Sequence, residues 1–331
     1  MRNLITDIPG LRVGHAQDER LASGVTTLIF DSPTIASISI QGGAPGVRDA
    51  ALLEPDMTVE GVDALVLSGG SAFGLDSMGG VQGALREQGR GFAVGQFLIP
   101  IVPGAILFDL GNGGDKDWGR MPPYWDLGYA SAVAASVDFA LGSVGAGLGA
   151  TTADLKGGLG STSAVTPSGF TVGALVVVNA LGQTTIGDGP YFWAATFERE
   201  AEFGGLGMPA SWPANGHLRV KGHTPQNTTI AIVATDAAMT KAQCKRLAVM
   251  AHDGMARAIR PSHAALDGDV VFAAATGGTA KEAPTLHQLT EIGALAADCL
   301  ARAIARAVFE ATSLPFDRAL PSWRQRFRQE T

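Results

Sequence analysis

The sequence predicts an α/β protein in which two packed β-sheets are covered by helices. Hydrophobic residues make up 46% of the 331 residues and charged residues only 17%, a balance that favours a large folded core over disorder. Runs rich in β-branched residues and bounded by glycine turns alternate with segments of helical spacing. The coarse order is strands, two helices, strands, a linker, and then strand, helix, strand, helix, which is typical of layered α/β architectures.

In the first third of the chain, residues 25–30 and 35–40 are predicted as two strands. Residues 62–67 form a nearly continuous apolar strand, which we expect to be buried on both faces. A glycine loop at 68–74 connects it to a helix at 75–88. Such a loop presents unpaired N–H groups at a helix start, so it fits an anion or carbonyl site and a plain tight turn equally well.

The middle of the chain is less regular. Residues 110–127 are predicted as an ordered loop, 130–140 as a helix of small residues, and 170–179 as a strand. Residues 196–226 show little periodicity and carry glycine, proline, tryptophan and asparagine, which indicates a surface linker.

The pattern becomes clear again in the last third. We predict strands at 228–235 and 270–275 and helices at 237–259 and 286–309. The basic tail that follows is expected on the surface or against a neighbouring subunit; it contains Arg318, Arg324, Arg326 and Arg328.

Charge and cysteine content exclude several classes of protein. The net charge of -7 disfavours a nucleic-acid partner, because phosphate binding requires a basic surface. Two cysteines in apolar helical contexts, Cys244 and Cys299, are too few for a disulfide scaffold or a cysteine-rich zinc site and indicate buried thiols. Neither a signal peptide nor a membrane span is visible, so we expect a cytoplasmic protein without a membrane partner.

The segment at Asn227 and Thr228 carries the most informative chemistry. Threonine is a weak nucleophile without a neighbouring base. Cleavage of the chain before Thr228 would free an α-amino group, with an ordinary pKa of about 7.7–8.0, as a base for its own hydroxyl. The irregular linker and the buried strand start suit such a reaction. Taken alone, Asn-Thr at a strand start is more often a turn followed by a β-branched residue.

Several further segments make the chain resemble the self-processing aminopeptidases, a family that includes L-aminopeptidase/D-amidase-esterases, β-peptidyl aminopeptidases and nylon-oligomer hydrolases. The resemblance covers nearly the whole chain, and the Asn-Thr pair looks most like the nylon-oligomer branch. The segments that carry it are residues 7–15, 42–48, 67–75, 145–147, 156–160, 179, 227–229 and 234–236.

This resemblance implies a four-layer αββα sandwich, similar in its layers to N-terminal-nucleophile hydrolases but connected differently. Residues 1–331 would form one self-cleaving domain, cut between Asn227 and Thr228 into a larger fragment, 1–227, and a smaller one, 228–331. It also implies tetramers of the paired fragments or larger homo-oligomers, a peptide or amide substrate, and chemistry that requires no metal or organic cofactor.

Four more residues receive catalytic roles through the resemblance. Lys156 would stabilise the Thr228 alkoxide or hold its amine neutral, although a lone lysine is commonly a solvated surface residue. Asn179 would donate to the oxyanion or orient Thr228, although it also fits a strand-ending turn. Asp267 and Asp269 would hold the Thr228 ammonium or the substrate amine. For this pair of aspartates, a plain acidic turn or a metal site is the alternative. We assign no histidine as a further ligand of such a metal.

Candidate substrate contacts are less specific. Relatives place a tyrosine near their site from the region of Tyr124, and Tyr129 lies close by in the sequence. Gly70 and Ser71 belong to the glycine loop, which does not match the G-x-S-x-G nucleophile elbow and is interpreted as substrate-facing backbone or scaffold. The six histidines form no metal-binding motif, and structural roles are expected for them.

Together these features predict an autoprocessed amide or peptide hydrolase with N-terminal Thr228 as nucleophile. An acyltransferase of the ornithine acetyltransferase type and a non-catalytic binding protein are the alternatives. The sequence leaves α-peptides, β-peptides, D-amino-acid amides and ω-amino-acid oligomers open as substrates.

Overall fold

The computed structural model describes residues 1–213, 218–222, 227–277 and 282–327. The strands in these ranges are β1 Leu11–Asp18, β2 Ser23–Ile40, β3 Val47–Arg48, β4 Gly61–Ser68, β5 Phe92–Val94, β6 Phe97–Ile99, β7 Gly104–Ile106, β8 Gly158–Val165, β9 Thr171–Asn179, β10 Thr228–Thr235 and β11 Val270–Ala275. The α-helices are α1 Ser77–Glu87, α2 Tyr124–Val133, α3 Lys241–Ala258, α4 Leu286–Phe309 and α5 Trp323–Phe327.

Nine strands hydrogen-bond into one continuous mixed sheet. Its order is β3-β7-β4-β2-β11-β10-β9-β8, and β1 pairs with β2 off this path. Strand β10 lies between β9, to which it is antiparallel, and β11, to which it is parallel. The strands β5 and β6 form a separate hairpin.

The long strand β2 joins the two halves of this sheet. Its first part pairs with β1 and β4, and its last part pairs with β11. The pairing register with β4 shifts between Ile29 and Thr34, where residues 31–33 are exposed and include Pro33. The prediction of two separate strands at 25–30 and 35–40 was therefore wrong, because the irregularity at Pro33 interrupts the pattern without ending the strand.

Three groups of apolar side chains define four layers. One core lies between the two sheet halves and contains Leu28 and Leu65 from one half and Ile232 and Phe272 from the other. Helices α3 and α4 pack on the outer face of β8 to β11. Helices α1 and α2 pack on the opposite outside, against β2 and β4. This arrangement confirms the αββα sandwich.

The two long helices begin at capping boxes. In α3 and α4, the threonine before the first turn accepts a hydrogen bond from the backbone of a glutamine three residues later, and the glutamine side chain accepts one from the threonine N–H. The bounds of α4 agree with the predicted 286–309, and α3 begins four residues later than expected.

The predicted helix at 130–140 was wrong in position. Helix α2 begins within the segment predicted as a loop, at Tyr124, and ends at Val133. A Cβ on Gly128 would lie 2.0 Å from the Ser77 carbonyl oxygen, so α2 approaches α1 closely at this glycine. Small-residue composition indicated a helix here but did not fix its register.

The C-terminal segment packs on its own chain. Trp323 is 2% exposed and stacks on Phe192, while Arg326 pairs with Asp154. Arg328 lies outside the described residues, as do residues 214–217 and 223–226 of the predicted linker. Cys244 and Cys299 are buried free thiols, as predicted. Among the described helices, we find none with the length and hydropathy needed to cross a membrane.

Candidate active site

Thr228 is the first residue of β10 and is 5% exposed. The run of β-branched and apolar residues that follows it fills a central position of the sheet, where both neighbours hold the strand by backbone hydrogen bonds. Its Cα partner on β9 is Asn179. The strand therefore places the Thr228 side chain at a rigid, buried position, as the sequence predicted.

The Thr228 hydroxyl lies beside the carbonyl of the bond that we predict to be cut. Its Oγ1 donates to the carbonyl oxygen of Asn227 at 2.5 Å. The Gly268 N–H donates to the same oxygen at 2.9 Å. Asn227 is 2% exposed, and its side-chain amide finds no hydrogen-bond partner in the described part of the chain.

Asp269 fixes the start of β10 from the neighbouring strand. Its Oδ1 accepts from the Thr229 N–H at 2.8 Å, and its Oδ2 accepts from the N–H and Nδ1 of His263 at 2.9 and 2.8 Å. His263 is thus a partner that the sequence interpretation missed. Its position six residues before Asp269 was the available signal.

Asp267 lies on the other side of Gly268 and is 1% exposed. Its Oδ2 accepts from the Ala264 N–H at 2.9 Å. Burial, together with the Asp269 carboxylate, raises the pKa of Asp267 above its ordinary value. The Ala44 N–H donates to the Asp267 carbonyl at 2.8 Å, so the glycine-rich segment at 42–48 supports this acidic turn.

Lys156 is a buried residue and not the solvated surface lysine that was its alternative. It is 1% exposed, and its Nζ donates to the carbonyl oxygens of Gly147, Ala150 and Gly157 at 2.9, 2.8 and 2.8 Å. In the described structure its hydrogen bonds go to these three carbonyls and not to Thr228. Burial lowers the pKa of Lys156 to about 7, and the Asp109 carboxylate opposes that shift.

Asn179 pairs with Thr228 across the two strands, and its side chain binds other polar groups. Its Nδ2 donates to the Phe108 carbonyl at 2.9 Å. Its Oδ1 accepts from the Thr151 N–H at 3.0 Å and from Lys221 Nζ at 3.1 Å. The side chain is fully buried and bonded, so it does more than end a strand.

Asp109 organises the glycine loop and was not predicted. Its Oδ1 accepts from the Gly70 N–H at 2.8 Å, and its Oδ2 accepts from Ser23 Oγ at 2.6 Å. Tyr124 donates its hydroxyl to Ser23 at 3.1 Å, and a Cβ on Gly70 would overlap its ring. Burial raises the pKa of Asp109.

The two tyrosines of this region have different surroundings. Tyr124 is fully buried beside Ser23 and Asp109, whereas the Tyr129 hydroxyl donates to Glu87 on α1. Ser71 has a φ of 53° and donates its N–H to the Leu107 carbonyl, so it belongs to the turn that carries Gly70. Tyr124 and Gly70 are thus brought together, as two of the three proposed substrate contacts.

A cavity of about 370 Å³ lies next to Asn179. Its lining includes Asn112, Thr151, Lys221 and Phe316. Burial lowers the pKa of Lys221 to about 7. Lys221 was not singled out from the sequence, because it lies in a segment without periodicity.

The two buried lysines predict that stability rises with pH between 7 and 8.5. Across this window the folded lysines go from about half to nearly complete loss of their protons, whereas the unfolded chain holds them up to an ordinary pKa of 10.5. The unfolded state therefore binds more protons, and raising the pH favours the folded state. Urea unfolding of an uncleaved variant such as Thr228→Ala at both pH values measures the effect.

The control for this stability experiment is Lys156→Met in the same background. Its free energy of unfolding should rise less steeply, because one of the two proton-releasing groups is gone. Comparing the two slopes cancels contributions from other titrating groups. Equal slopes would contradict the lowered pKa of Lys156.

A family model and several known proteins match this chain. The model of peptidase family S58 matches residues 3–319. An uncharacterized aminopeptidase of Mycobacterium bovis is 43% identical over 347 residues, which is 98% of each chain. A 6-aminohexanoate-oligomer endohydrolase of a Kocuria species is 28% identical over 82% of this chain and 74% of its own.

Two solved structures share the fold. A Burkholderia β-aminopeptidase has a TM-score of 0.71 at 24% identity and covers 98% of this chain and 92% of its own. The L-aminopeptidase D-Ala-esterase/amidase of Ochrobactrum anthropi, described as a new variant among the Ntn hydrolase fold, has a TM-score of 0.70 at 21% identity, with 97% and 90% covered. The match of the family model along almost the entire chain, together with the 43% identical relative, shows that the chain belongs to peptidase family S58.

Proposed function

We propose that this member of the family is an amide hydrolase that cuts its own Asn227–Thr228 bond and then uses N-terminal Thr228 as its nucleophile. The observation that carries the proposal is the 2.5 Å contact between Thr228 Oγ1 and the Asn227 carbonyl oxygen at a buried strand start. Nucleophile and carbonyl group lie side by side before any reaction, and this proximity supports an intramolecular acyl shift, in which Oγ1 turns from the carbonyl oxygen to the carbonyl carbon.

Self-cleavage proceeds as an N-to-O acyl shift followed by hydrolysis. Thr228 Oγ1 adds to the Asn227 carbonyl carbon, the C–N bond breaks, and the departing nitrogen takes the hydroxyl proton. The resulting ester is then attacked by water, which releases the carboxylate of Asn227 and restores the Thr228 hydroxyl. The products are fragments 1–227 and 228–331.

In the mature enzyme the freed amine of Thr228 accepts the hydroxyl proton as Oγ1 attacks a substrate amide. Asp269 holds the backbone next to this amine through the Thr229 N–H, and the neighbouring Asp267 is the second carboxyl group available to an ammonium. Lys156 and Asn179 stabilise the developing charge in this scheme. An acyl-enzyme forms, and water hydrolyses it.

The names of the matched proteins support peptides or linear amides as substrates. The relatives include an aminopeptidase and a 6-aminohexanoate-oligomer endohydrolase. An acyltransferase would share every step up to the acyl-enzyme and differ only in using an amine in place of water. In the mechanism proposed for this chain, water is the final acceptor of the acyl group.

Intact-mass measurement of the purified chain tests the first half of this proposal. After incubation at neutral pH we expect two fragments that correspond to 1–227 and 228–331. A panel of amino-acid amides, short α- and β-peptides and 6-aminohexanoate oligomers, with and without an added amine, tests the second half. Persistent full-length chain in material that hydrolyses amides would overturn the mechanism, and product formed only with added amine would indicate a transferase.

A further inference from the structure

We infer that the backbone N–H of Gly268 is the oxyanion donor for self-cleavage at Asn227–Thr228, an inference that rests on the proposed function. Within the described residues, the Asn227 carbonyl oxygen accepts hydrogen bonds from Thr228 Oγ1 and from the Gly268 N–H. The hydroxyl gives up its proton as it attacks, so its hydrogen bond is lost when negative charge develops. The Gly268 N–H is the donor that remains.

The turn that carries Gly268 is held from several directions. The Asp267 N–H donates to the Ala264 carbonyl at 2.9 Å, and the Ala264 N–H returns a bond to the Asp267 carboxylate at 2.9 Å. Ala44 donates to the Asp267 carbonyl. These bonds fix the direction of the Gly268 N–H before the reaction, which is the condition for effective charge stabilisation.

The same turn also fixes the nucleophile. Asp269 follows Gly268 and binds the Thr229 N–H at 2.8 Å. A single carboxylate thus links the turn that carries the donor to the strand that carries the nucleophile. A side chain at position 268 would disturb this arrangement, because its Cβ would lie 2.7 Å from Thr228 Oγ1.

Electrostatics make a donor at this position necessary. The oxyanion would form at the carbonyl that Gly268 binds, and Gly268 stands between Asp267 and Asp269 in the sequence, so nearby negative charge would oppose it. Burial and the charge of Asp269 raise the pKa of Asp267 to about 6, which increases its protonated fraction but leaves it mainly charged at neutral pH. The Gly268 N–H then supplies the favourable dipole in a site where little water screens it.

The bond changes in this step balance within the chain. The Oγ1–C bond forms while the carbonyl π electrons move onto the oxygen, which the Gly268 N–H stabilises. When the carbonyl reforms, the C–N bond breaks and the nitrogen receives the proton that Oγ1 released. The products are an ester at Asn227 and the free amine of Thr228.

Replacing the Gly268 amide by an ester tests the inference without adding a side chain. Glycolic acid incorporated at position 268 removes the N–H and leaves no Cβ to touch Thr228. We expect self-cleavage, followed by intact mass over time, to slow by roughly 10²–10³-fold, as for the removal of one oxyanion donor. The control is glycolic acid at Gly277, which donates to the Ala237 carbonyl at 3.2 Å beyond the far end of β11.

The outcomes separate this inference from the proposed function. Slow cleavage with the ester at 268 and near-normal cleavage with the ester at 277 supports the donor role. Equal cleavage of the unmodified chain and the 268 ester overturns it, while the proposed function stands. An unmodified chain that never cleaves overturns the proposed function itself. Circular dichroism of the 268 ester shows whether it folds. If it does not fold, Gly268→Pro, which also lacks the N–H, is compared with Gly268→Ala. The inference then requires that Gly268→Pro cleaves more slowly than Gly268→Ala.

Discussion

Thr228→Ala is expected to leave a single uncleaved chain of 34.0 kDa with no measurable amide hydrolysis. The substitution removes the nucleophilic oxygen that attacks in both steps of the proposed mechanism. The fold should persist, because the Asn227 carbonyl keeps its hydrogen bond from Gly268 and the lost hydroxyl contributes about 1 kcal/mol. Intact mass and a hydrolysis assay of the same preparation measure both effects.

Thr228→Ser is the matched control for this experiment. It keeps the hydroxyl and removes one methyl group, so cleavage and hydrolysis should continue. Thermal unfolding of Thr228→Ser should stay within a few degrees of the equally processed parent, and Thr228→Ala should unfold cooperatively as well, since neither change leaves a buried donor unpaired. Hydrolysis by Thr228→Ala at the parental rate would show that another group is the nucleophile.

The secondary structure around Thr228 was predictable because it depends on local patterns. The β-branched run at 228–235 and the apolar run at 270–275 occupy strands with the predicted bounds, and the helix at 286–309 does as well. Errors arose where tertiary packing decides. Pro33 bends a strand without ending it, and Gly128 sets where α2 meets α1.

The residues of the candidate site also differ in whether local patterns or tertiary packing determine their positions. Thr228, Asp267 and Asp269 were identified because they lie in recognisable segments next to buried strands. Asp109 and Lys221 are brought to the site by tertiary packing, so no spacing in the sequence predicts their positions. Gly268 shows the limit most clearly, since its contribution is a backbone N–H whose direction no residue type encodes.

The lack of a side chain at Gly268 should also affect self-cleavage, independently of its N–H. A Cβ at this position would lie 2.7 Å from Thr228 Oγ1 and 3.0 Å from the Ala44 carbonyl oxygen. Both neighbours are held by the sheet and the supporting loop, so the nucleophile has to move by a substantial fraction of an ångström. Displacement of reacting groups on this scale costs about 100-fold in rate.

Gly268→Ala should therefore slow self-cleavage by about 100-fold, although it retains the N–H that the ester variant lacks. Gly222→Ala is the matched control, because a Cβ there meets no atom of the described residues within 4 Å. A time course of intact mass distinguishes the two variants. Normal cleavage by Gly268→Ala would mean that the turn shifts to accommodate the new methyl group. The close approach of Gly268 to Thr228 would then not be needed for cleavage. Slow cleavage would show that the acidic turn positions the nucleophile through its backbone, which explains why a glycine stands between the two aspartates.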